Sequence, residues 1–399
     1  MLRIYMDANA TTPLLPEVLA AMRPFWIEHF GNASSIHQQG QHARAAVDRA
    51  RDQVARLPHC RASEIFFTSG GTESDNLALF GVLQPYLASG SPAHLITTAI
   101  EHHAVLHAAE ALRDRGIEVT FLPCTPEGLI EPATVEAALR PHTKLVSIML
   151  ANNETGVIQP IAELARIAHA HGALFHTDAV QAAGKLPLDL SKSGELAQVD
   201  LLSISGHKMY APQGTGILFC RRNVRLAPLF FGGAHERQRR PGTENLPGIV
   251  GLGAAAELAQ LWLEGPGTAE LTALRDRLEQ GTLATVEHAG VNGGTLPRVA
   301  NTANLYFDHL EAEALVIALD LKGLSVSGGS ACQSGAAEPS HVLTAMGLSP
   351  ARARASIRFS LSRLTTAEEI DEALKIIPTA VARLRELSPT WRRRDPVAV

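Results

Sequence analysis

Short apolar runs alternate with amphipathic stretches from about residue 44 onward, and this alternation constrains the fold more than any other feature. It is typical of α/β proteins, in which a mostly parallel sheet carries helices on both faces. A helix before the first strand is predicted by five residues that share one face: Ala43, Val47, Ala50, Val54 and Leu57. Strands are predicted at 65–68, 94–98, 118–123, 144–150, 174–177 and 201–205, with a further helix at 160–171.

The pattern changes after residue 262. A chain of 399 residues is too long for one simple core, and the glycine- and proline-rich stretch 263–267 predicts a domain boundary. Beyond it, Thr366 and Glu369 form a capping-box pattern at the start of a long amphipathic helix. We therefore expect a smaller α+β domain with strands at 302–307 and 356–361. The predicted domains are 13–262 for the large one, and 1–12 together with 263–399 for the small one.

Composition narrows the possible functions. The formal net charge of −5 is spread along the chain, so no basic surface for nucleic acid is predicted. No apolar run approaches the roughly 20 residues that span a bilayer, and no signal-peptide pattern occurs at the N-terminus. We therefore expect a cytoplasmic protein without a membrane partner. Four isolated cysteines predict reduced thiols, without disulfides or a cysteine-based zinc site.

A lysine follows the last predicted strand of the large domain, in the sequence Ser205-Gly206-His207-Lys208. Open α/β sheets bind ligands at the carboxyl ends of their strands, where a lysine amine can form a Schiff base with an aldehyde. Ser205 and His207 can donate hydrogen bonds to a phosphate. A lysine alone is most often a solvated surface charge, so the prediction of a ligand site at Lys208 depends on Ser205 and His207 beside it.

A carboxylate and a glycine-rich turn follow two other predicted strands. Asp178 stands where it can keep a pyridine nitrogen protonated, although taken alone it is equally compatible with a helix cap. The turn Ser69-Gly70-Gly71-Thr72-Glu73 opens a helix and favours a bound anion, but it is not followed by the Gly-Lys-Ser/Thr of a Walker A loop. A phosphate cradle, a carboxylate and a lysine, each after its own strand, together predict a pyridoxal phosphate site.

A histidine pair and one cysteine complete the candidate residues. His102 and His103 follow strand 94–98. Adjacent residues point in different directions, which argues against a metal site. A flat group over a cofactor ring or an acid–base fits better, although taken alone either histidine is equally compatible with a structural role. Cys332 lies in the small, polar, glycine-rich stretch 327–339. Structural cysteines normally lie in apolar elements, so Cys332 is predicted to be a reactive thiol on an exposed loop. The remaining cysteines, Cys60, Cys124 and Cys220, are expected to be inert.

These segments together resemble the cysteine desulfurases, pyridoxal-phosphate enzymes of aminotransferase fold type I. Within them the chain is most similar to the long-loop class that includes NifS and IscS. The resemblance extends over nearly the whole chain. It rests on segments 6–13, 31–37, 68–74, 152–156, 205–208, 240–245, 327–339 and 356–360.

The resemblance implies a role for each matched residue. Lys208 would hold the cofactor and move the proton at the substrate α-carbon, Asp178 would pair with the pyridine nitrogen, and His102 would stack on the ring. Arg358 would clamp the substrate carboxylate, a task that suits guanidinium geometry, with help from Asn32. The ring hydroxyl is implied to contact Gln181 and Asn153. The phosphate is implied to bind Gly71, Thr72, Ser205, His207 and, from the neighbouring subunit of a homodimer, Thr243.

The implied reaction converts L-cysteine to L-alanine and leaves the sulfur as a persulfide on Cys332. His102 or the protonation state of the substrate would activate this thiol. The sulfur would pass to an acceptor protein, for iron–sulfur cluster assembly or another thiolation. The alternatives are a related fold-type I enzyme, such as an aminotransferase or a selenocysteine lyase, and a non-catalytic scaffold.

Overall fold

The structure is a computed structural model that describes residues 3–328, 339–388 and 391. The strands are β1 (Ile4–Tyr5), β2 (Ile65–Thr68), β3 (His94–Thr98), β4 (Glu118–Leu122), β5 (Thr143–Ser147), β6 (Leu174–Asp178), β7 (Leu201–Ser205), β8 (Gly216–Cys220), β9 (Ala289–Val291), β10 (Thr302–Phe307), β11 (Leu324–Ser325), β12 (Ser327–Gly328) and β13 (Ser356–Ser360). The helices are α1 (Pro16–Met22), α2 (Pro24–Ile27), α3 (Gln38–Arg56), α4 (Gly71–Ser89), α5 (His103–Asp114), α6 (Pro132–Ala138), α7 (Ile161–Ala170), α8 (Leu246–Glu264), α9 (Gly267–Thr285), α10 (Ala312–Asp320), α11 (His341–Ala345), α12 (Pro350–Arg354) and α13 (Ala367–Leu387).

A seven-stranded sheet in the order β2-β8-β7-β6-β5-β3-β4 forms the centre of the protein. β8 is antiparallel to β2 and β7, and every other neighbouring pair is parallel. The predicted α/β class with a mostly parallel sheet is confirmed. All six strands predicted in this region occur, with their ends displaced by a few residues at most. Strand β8, which follows β7 without an intervening α-helix, was not predicted from the sequence.

Apolar side chains cover both faces of this sheet, because successive residues of a strand point to opposite sides. In β5, Leu145 packs into one apolar cluster and Val146 into another, which Phe175 of β6 joins. Helices α4 and α5 contribute to the cluster around Leu145, whereas α3, α7 and α8 contribute to the cluster around Val146. The helices therefore lie on both faces, as predicted.

A second, antiparallel sheet has the order β12-β13-β10-β9, and β1 pairs with β11 beside it. Its apolar cluster joins Ile4, from the start of the chain, to Ile377 of α13. Helix α13 begins at the predicted capping box: Glu369 N donates to Thr366 Oγ1 at 3.2 Å, and Thr366 N donates to Glu369 Oε2 at 2.9 Å. Residues near both ends of the sequence thus share one core.

The apolar cores do not follow the predicted chain limits of the two domains at every point. Val342 and Met346, which lie in or beside α11, belong to the apolar cluster of the large sheet although they come after residue 262. The chain limits of the two domains, 13–262 against 1–12 and 263–399, stay a prediction.

Helix α8 corrects the expectation that no apolar run approaches the length of a membrane span. By length and composition alone its 19 residues suffice, with a mean hydropathy of 1.3. Half of this stretch is buried inside the protein, where Gly251 lies against Met22 of α1 and Gly253 against Ala50 of α3, both too closely for a Cβ. These contacts are those of a core helix.

Candidate active site

Predicted site residues follow neighbouring strands of the large sheet. Gly71 follows β2, His102 follows β3, Asn153 lies beyond β5, Asp178 ends β6, and Lys208 follows β7. Apart from the antiparallel β8, the strands of this sheet run in one direction, so these residues meet at the same edge of the sheet. The fold therefore brings together residues that are up to 137 positions apart in the sequence.

The glycine-rich turn after β2 has the properties of an anion cradle. Gly70 has a φ of +154°, which favours glycine, and the 19-residue helix α4 begins at Gly71 with free backbone N–H groups. A Cβ added to Gly71 would lie only 2.8 Å from Val180 Cγ2. Ser205, buried at the end of β7, lies against this turn, and Thr72 is exposed in the first turn of α4. An anion can therefore approach the backbone closely.

Lys208 has an amine that is ready to react. Its Nζ donates hydrogen bonds to the backbone carbonyls of Asn9 at 2.5 Å and Ala10 at 2.6 Å. Burial, followed by the charge of Arg358, lowers the pKa of this amine from 10.5 to about 8. A substantial fraction is therefore neutral near physiological pH, which is the form that attacks an aldehyde or accepts a proton.

Asp178 is a buried carboxylate near this amine. Burial raises its pKa to about 6, while a hydrogen bond from Val180 N at 2.8 Å and the charge of Lys208 act in the opposite direction. The carboxylate is thus mostly ionised at neutral pH and can hold a protonated ring nitrogen. Two residues earlier, His176 is fully buried and bonded to Ser147 and Ser203 at 2.8 and 3.0 Å, a polar layer that sequence analysis missed.

His102 caps α5, with Nδ1 accepting a hydrogen bond from Ala104 N at 3.1 Å. Burial, and then the charge of Lys208, lower its pKa to about 4, so the imidazole is neutral. Because Nδ1 accepts, Nε2 carries the proton and can donate a hydrogen bond. Activation of a thiol by His102 stays a prediction, and it requires this cap to open.

Arg358 of β13 reaches the same site from the second sheet. Its Nη2 lies 2.9 Å from Asp7 Oδ1, and its Nη1 donates to Asn153 O at 3.1 Å. Two buried atoms, Arg358 Nε and Asn153 Oδ1, have no hydrogen-bond partner among the described residues. Each unpaired buried group costs about 1–3 kcal/mol, so these two atoms are candidates for hydrogen bonds to a ligand.

Comparison with known proteins agrees with this geometry. The aminotransferase class-V family matches residues 4–373. The chain belongs to the class-V aminotransferase family. A relative named cysteine desulfurase IscS, from Anaeromyxobacter sp. (strain Fw109-5), is 52% identical over 97% of this chain and 95% of its own length. A solved NifS-like protein is 36% identical, with a TM-score of 0.88 over 96% of this chain and 100% of that one. The solved structure of SspA in complex with cysteine is 37% identical, with a TM-score of 0.80 over 91% of this chain and 100% of that one.

The cofactor of the class-V family is pyridoxal 5′-phosphate, and the residues at the sheet edge fit it. The turn at Gly71 would bind the phosphate with Ser205, Asp178 would bind the ring nitrogen, and Lys208 would bind the aldehyde carbon. The unpaired Asn153 Oδ1 and the cradle that a Cβ would fill are the observations on which this fit rests. His207, whose Nδ1 lies 3.1 Å from Thr11 Oγ1, stands beside Lys208.

The N-terminal segment of this class-V chain contributes more than sequence analysis predicted. Asn9 O accepts from both Lys208 Nζ and Gln181 Nε2, the latter at 3.1 Å. Asp7 pairs with Arg358, and the bridge between Asp7 and Ser360 attaches the segment to the second sheet. The only signal in the sequence was the matched motif 6–13, which gave these residues no role.

Thr243 and Asn32 lie elsewhere in the chain. Both line a cavity of about 680 Å³ that also includes Arg51 and Glu236, and neither Lys208 nor Asp178 lines it. Asn32 is exposed, and its Oδ1 accepts a hydrogen bond from Ser34 N at 2.8 Å. Neither residue therefore shares this cavity with Lys208.

Cys332 lies outside the described residues, within 329–338. The described residues on either side of this segment are held at the site. Ser327 pairs with Arg358 across β12 and β13. Ser340 Oγ donates to the buried Glu154 Oε2 at 2.6 Å, and His341 Nε2 donates to Glu101 O at 2.9 Å.

The other three cysteines are packed as sequence analysis predicted. Cys220 is buried, and Cys60 and Cys124 are partly buried against the core. Burial raises the pKa of Cys60 to about 12 and that of Cys220 to about 11, and it also raises the pKa of Cys124. Their thiolate forms are therefore scarce at neutral pH.

Proposed function

We propose that this class-V chain is a cysteine desulfurase, which converts L-cysteine to L-alanine and retains the sulfur as a persulfide on Cys332. One observation carries the proposal above the others. The reactive amine of Lys208, the carboxylate of Asp178 and the glycine turn share one sheet edge, and the residues that flank the Cys332 segment are bound to that edge. An aminotransferase needs no cysteine between two chain segments that are attached to this edge.

Pyridoxal phosphate, when bound, supplies a conjugated ring that accepts the electron pair released at the substrate α-carbon. Lys208 removes the proton from that carbon, a task for which an amine with a pKa near 8 is suited. Asp178 keeps a proton on the ring nitrogen. Arg358 orients the substrate by its carboxylate, using Nη and Nε donors of which Nε lacks a partner among the described residues.

Sulfur transfer then needs a thiolate at the substrate. The Cys332 thiolate attacks the substrate sulfur, a sulfur–sulfur bond forms, and the bond between Cβ and sulfur breaks. The electron pair of that bond stays with the carbon skeleton, which is protonated and leaves as alanine. Cys60, Cys124 and Cys220 are poor candidates for this step, because burial keeps their thiols protonated.

We also propose that the chain acts as a homodimer. The resemblance implies that Thr243 contacts the phosphate of the neighbouring subunit, and within one chain Thr243 lines a cavity that does not include Lys208. Large exposed apolar side chains lie near this cavity in sequence, as expected of a surface that another chain covers. They are Trp26 at 53%, Ile27 at 67%, Phe30 at 68%, Phe230 at 52% and Phe231 at 85% exposure.

The location and the partner are further parts of the proposal. We place the protein in the cytoplasm, since Cys60, Cys124 and Cys220 are free thiols in the structure, as expected in a reducing compartment. The persulfide sulfur would pass to an acceptor protein, either an iron–sulfur cluster scaffold or a thiolation carrier.

The test is to incubate the purified holoenzyme with L-cysteine, measure alanine, and locate the added sulfur by mass spectrometry. Wild-type protein should form alanine without a keto acid and should gain one sulfur on Cys332. Cys332→Ala should lose the persulfide and most of the sulfide released in the presence of thiol, whereas Cys124→Ala should retain both. Full sulfide production by Cys332→Ala with normal cofactor content would show that Cys332 is not the carrier. A rate that is negligible with L-cysteine but high with L-selenocysteine would identify a selenocysteine lyase.

A further inference from the structure

A second lysine is buried beside the site, and the proposed reaction does not use it. Lys185 is 7% exposed, and its Nζ donates to Gln181 Oε1 at 2.8 Å. Within the described ranges it forms no ion pair with a carboxylate. A buried ammonium without a counter-charge is costly, so Lys185 is a candidate for a role in the site.

Lys185 fixes the orientation of the Gln181 amide. An ammonium can only donate hydrogen bonds, so the amide oxygen must face Lys185 and the amide NH₂ must face the other way. That NH₂ donates to Asn9 O at 3.1 Å, the same carbonyl that accepts from Lys208 Nζ at 2.5 Å. Three hydrogen bonds thus connect Lys185 to Lys208 through Gln181 and the backbone of Asn9.

The charged groups that act on Lys185 are cationic. Lys185, Lys208 and Arg358 are opposed by Asp7 and Asp178, and His207 beside them is neutral because burial lowers its pKa to about 4. Burial, and then the charges of Lys208 and Arg358, lower the pKa of Lys185 to about 7. An anionic group placed near Gln181 would supply the missing counter-charge.

We propose that Lys185 is a positioning residue, which holds Gln181 as a hydrogen-bond donor to the ring oxygen of bound pyridoxal phosphate and adds positive charge there. The inference rests on the proposed function, since it needs that cofactor. It assigns Lys185 no contact with the substrate. Removal of Lys185 frees the Gln181 amide to rotate, so that its oxygen can meet the ring oxygen and repel it.

The test measures equilibrium binding to the apoprotein, without cysteine and without turnover. Two compounds are titrated by tryptophan fluorescence quenching: pyridoxal phosphate, and its analogue in which hydrogen replaces the ring hydroxyl. Lys185→Met should weaken the binding of pyridoxal phosphate about 5- to 10-fold, the loss expected for one hydrogen bond in a polar site. Binding of the analogue should change less than 2-fold, because the analogue lacks the oxygen on which Lys185 acts.

Matched variants separate this role from a general loss of structure. Lys192→Met, at an exposed lysine seven residues away, should leave both affinities unchanged. Lys185→Arg should restore most of the affinity for pyridoxal phosphate. Gln181→Met, which removes the amide itself, should reproduce the pattern of Lys185→Met, and it serves as the deciding variant if Lys185→Met does not fold.

Equal losses for the two compounds in Lys185→Met, or in Gln181→Met if Lys185→Met does not fold, would overturn the inference and leave the proposed function intact. A wild-type apoprotein that binds neither compound would overturn both. A spectroscopic check accompanies the binding data. In the loaded protein, Lys185→Met should shift the pH titration of the visible absorption band upward by about one pKa unit, because a positive charge near the ring has been removed.

Discussion

Three consecutive residues that are not glycine, Glu236, Arg237 and Gln238, have positive φ angles of 45°, 55° and 66°. Each such residue costs about 1–2 kcal/mol, so other interactions must hold the turn. The turn covers β2, an edge strand of the large sheet, and occupies its free backbone groups. Glu236 accepts from Phe67 N at 3.0 Å, and Arg237 donates to Ile65 O at 2.6 Å.

A buried ion pair fixes this turn. Arg51 donates to both carboxylate oxygens of Glu236, at 2.8 and 2.6 Å, with the side chains 11% and 3% exposed. Three hydrogen bonds to a charged group, at about 1.5–3 kcal/mol each, give a gross value of about 5–9 kcal/mol. In Glu236→Gln, Arg51 keeps its bond to Ile65 O, and in Arg51→Met, Glu236 keeps its bond from Phe67 N. We therefore expect either variant to destabilise the protein by about 3–5 kcal/mol.

The double variant provides the sharper test, because it removes both charges and leaves neither uncompensated. Its destabilisation should fall about 2–3 kcal/mol short of the sum of the single losses. The assay is urea unfolding of the apoprotein followed by circular dichroism, with an unchanged m-value as the condition for comparison. Gln238→Gly is the control that relieves strain without touching the pair, and it should raise stability by about 0.5–1 kcal/mol. Additive losses, or single losses below about 1 kcal/mol, would refute the conclusion that the Arg51–Glu236 ion pair fixes this turn.

Two further predictions concern the site. The native pKa of Lys208, about 8, lies below the ordinary value of 10.5, so between these pH values the unfolded chain binds more protons at this lysine than the native chain does. The free energy of unfolding of the wild-type apoprotein, relative to that of Lys208→Met, should therefore rise from pH 8 toward 10.5 and stay constant below pH 8. Urea titrations that give the same difference at every pH would contradict the assignment. Subunit mixing tests the dimer. Inactive Lys208→Ala and impaired Thr243→Ala proteins, unfolded together and refolded, should regain part of the desulfurase activity, because mixed dimers contain one site with an intact Lys208 and an intact Thr243. No recovery would place Thr243 in its own chain's site.

The site residues that follow strands could be predicted because their position depends only on the residues next to them in the sequence. Asp178 and Lys208 come directly after apolar runs, and the carboxyl ends of parallel strands meet at one edge whatever the rest of the chain does. The capping box at Thr366 is likewise a local pattern within four residues. Strand ends and helix starts therefore need no knowledge of distant contacts.

The parts that were missed depend on contacts between distant residues. The backbone carbonyl of Asn9 carries no side-chain signal, and it reaches Lys208 only because the bridge from Asp7 to Ser360 joins the two ends of the chain. The left-handed turn at residues 236–238 contains no glycine or asparagine by which the sequence could predict it, since an ion pair rather than backbone preference holds it. From the sequence alone Lys185 would be taken for a solvated surface charge, because its burial depends on the fold.

The arrangement of amine, acid and glycine turn serves many reactions of the class-V family, so the specificity for sulfur transfer must come from the thiol. Gly328 is held beside Ile357 in β13, and four residues of chain reach at most about 14 Å. One thiol confined to a sphere of that radius has an effective concentration on the order of 0.1 M. A free thiol at millimolar concentration competes poorly with it, so sulfur should reach Cys332 first and solution thiols only afterwards. At the other end of the same segment, Ser340 donates a hydrogen bond to the buried Glu154, whose pKa burial raises to about 7, so both flanks of the segment are attached at the site.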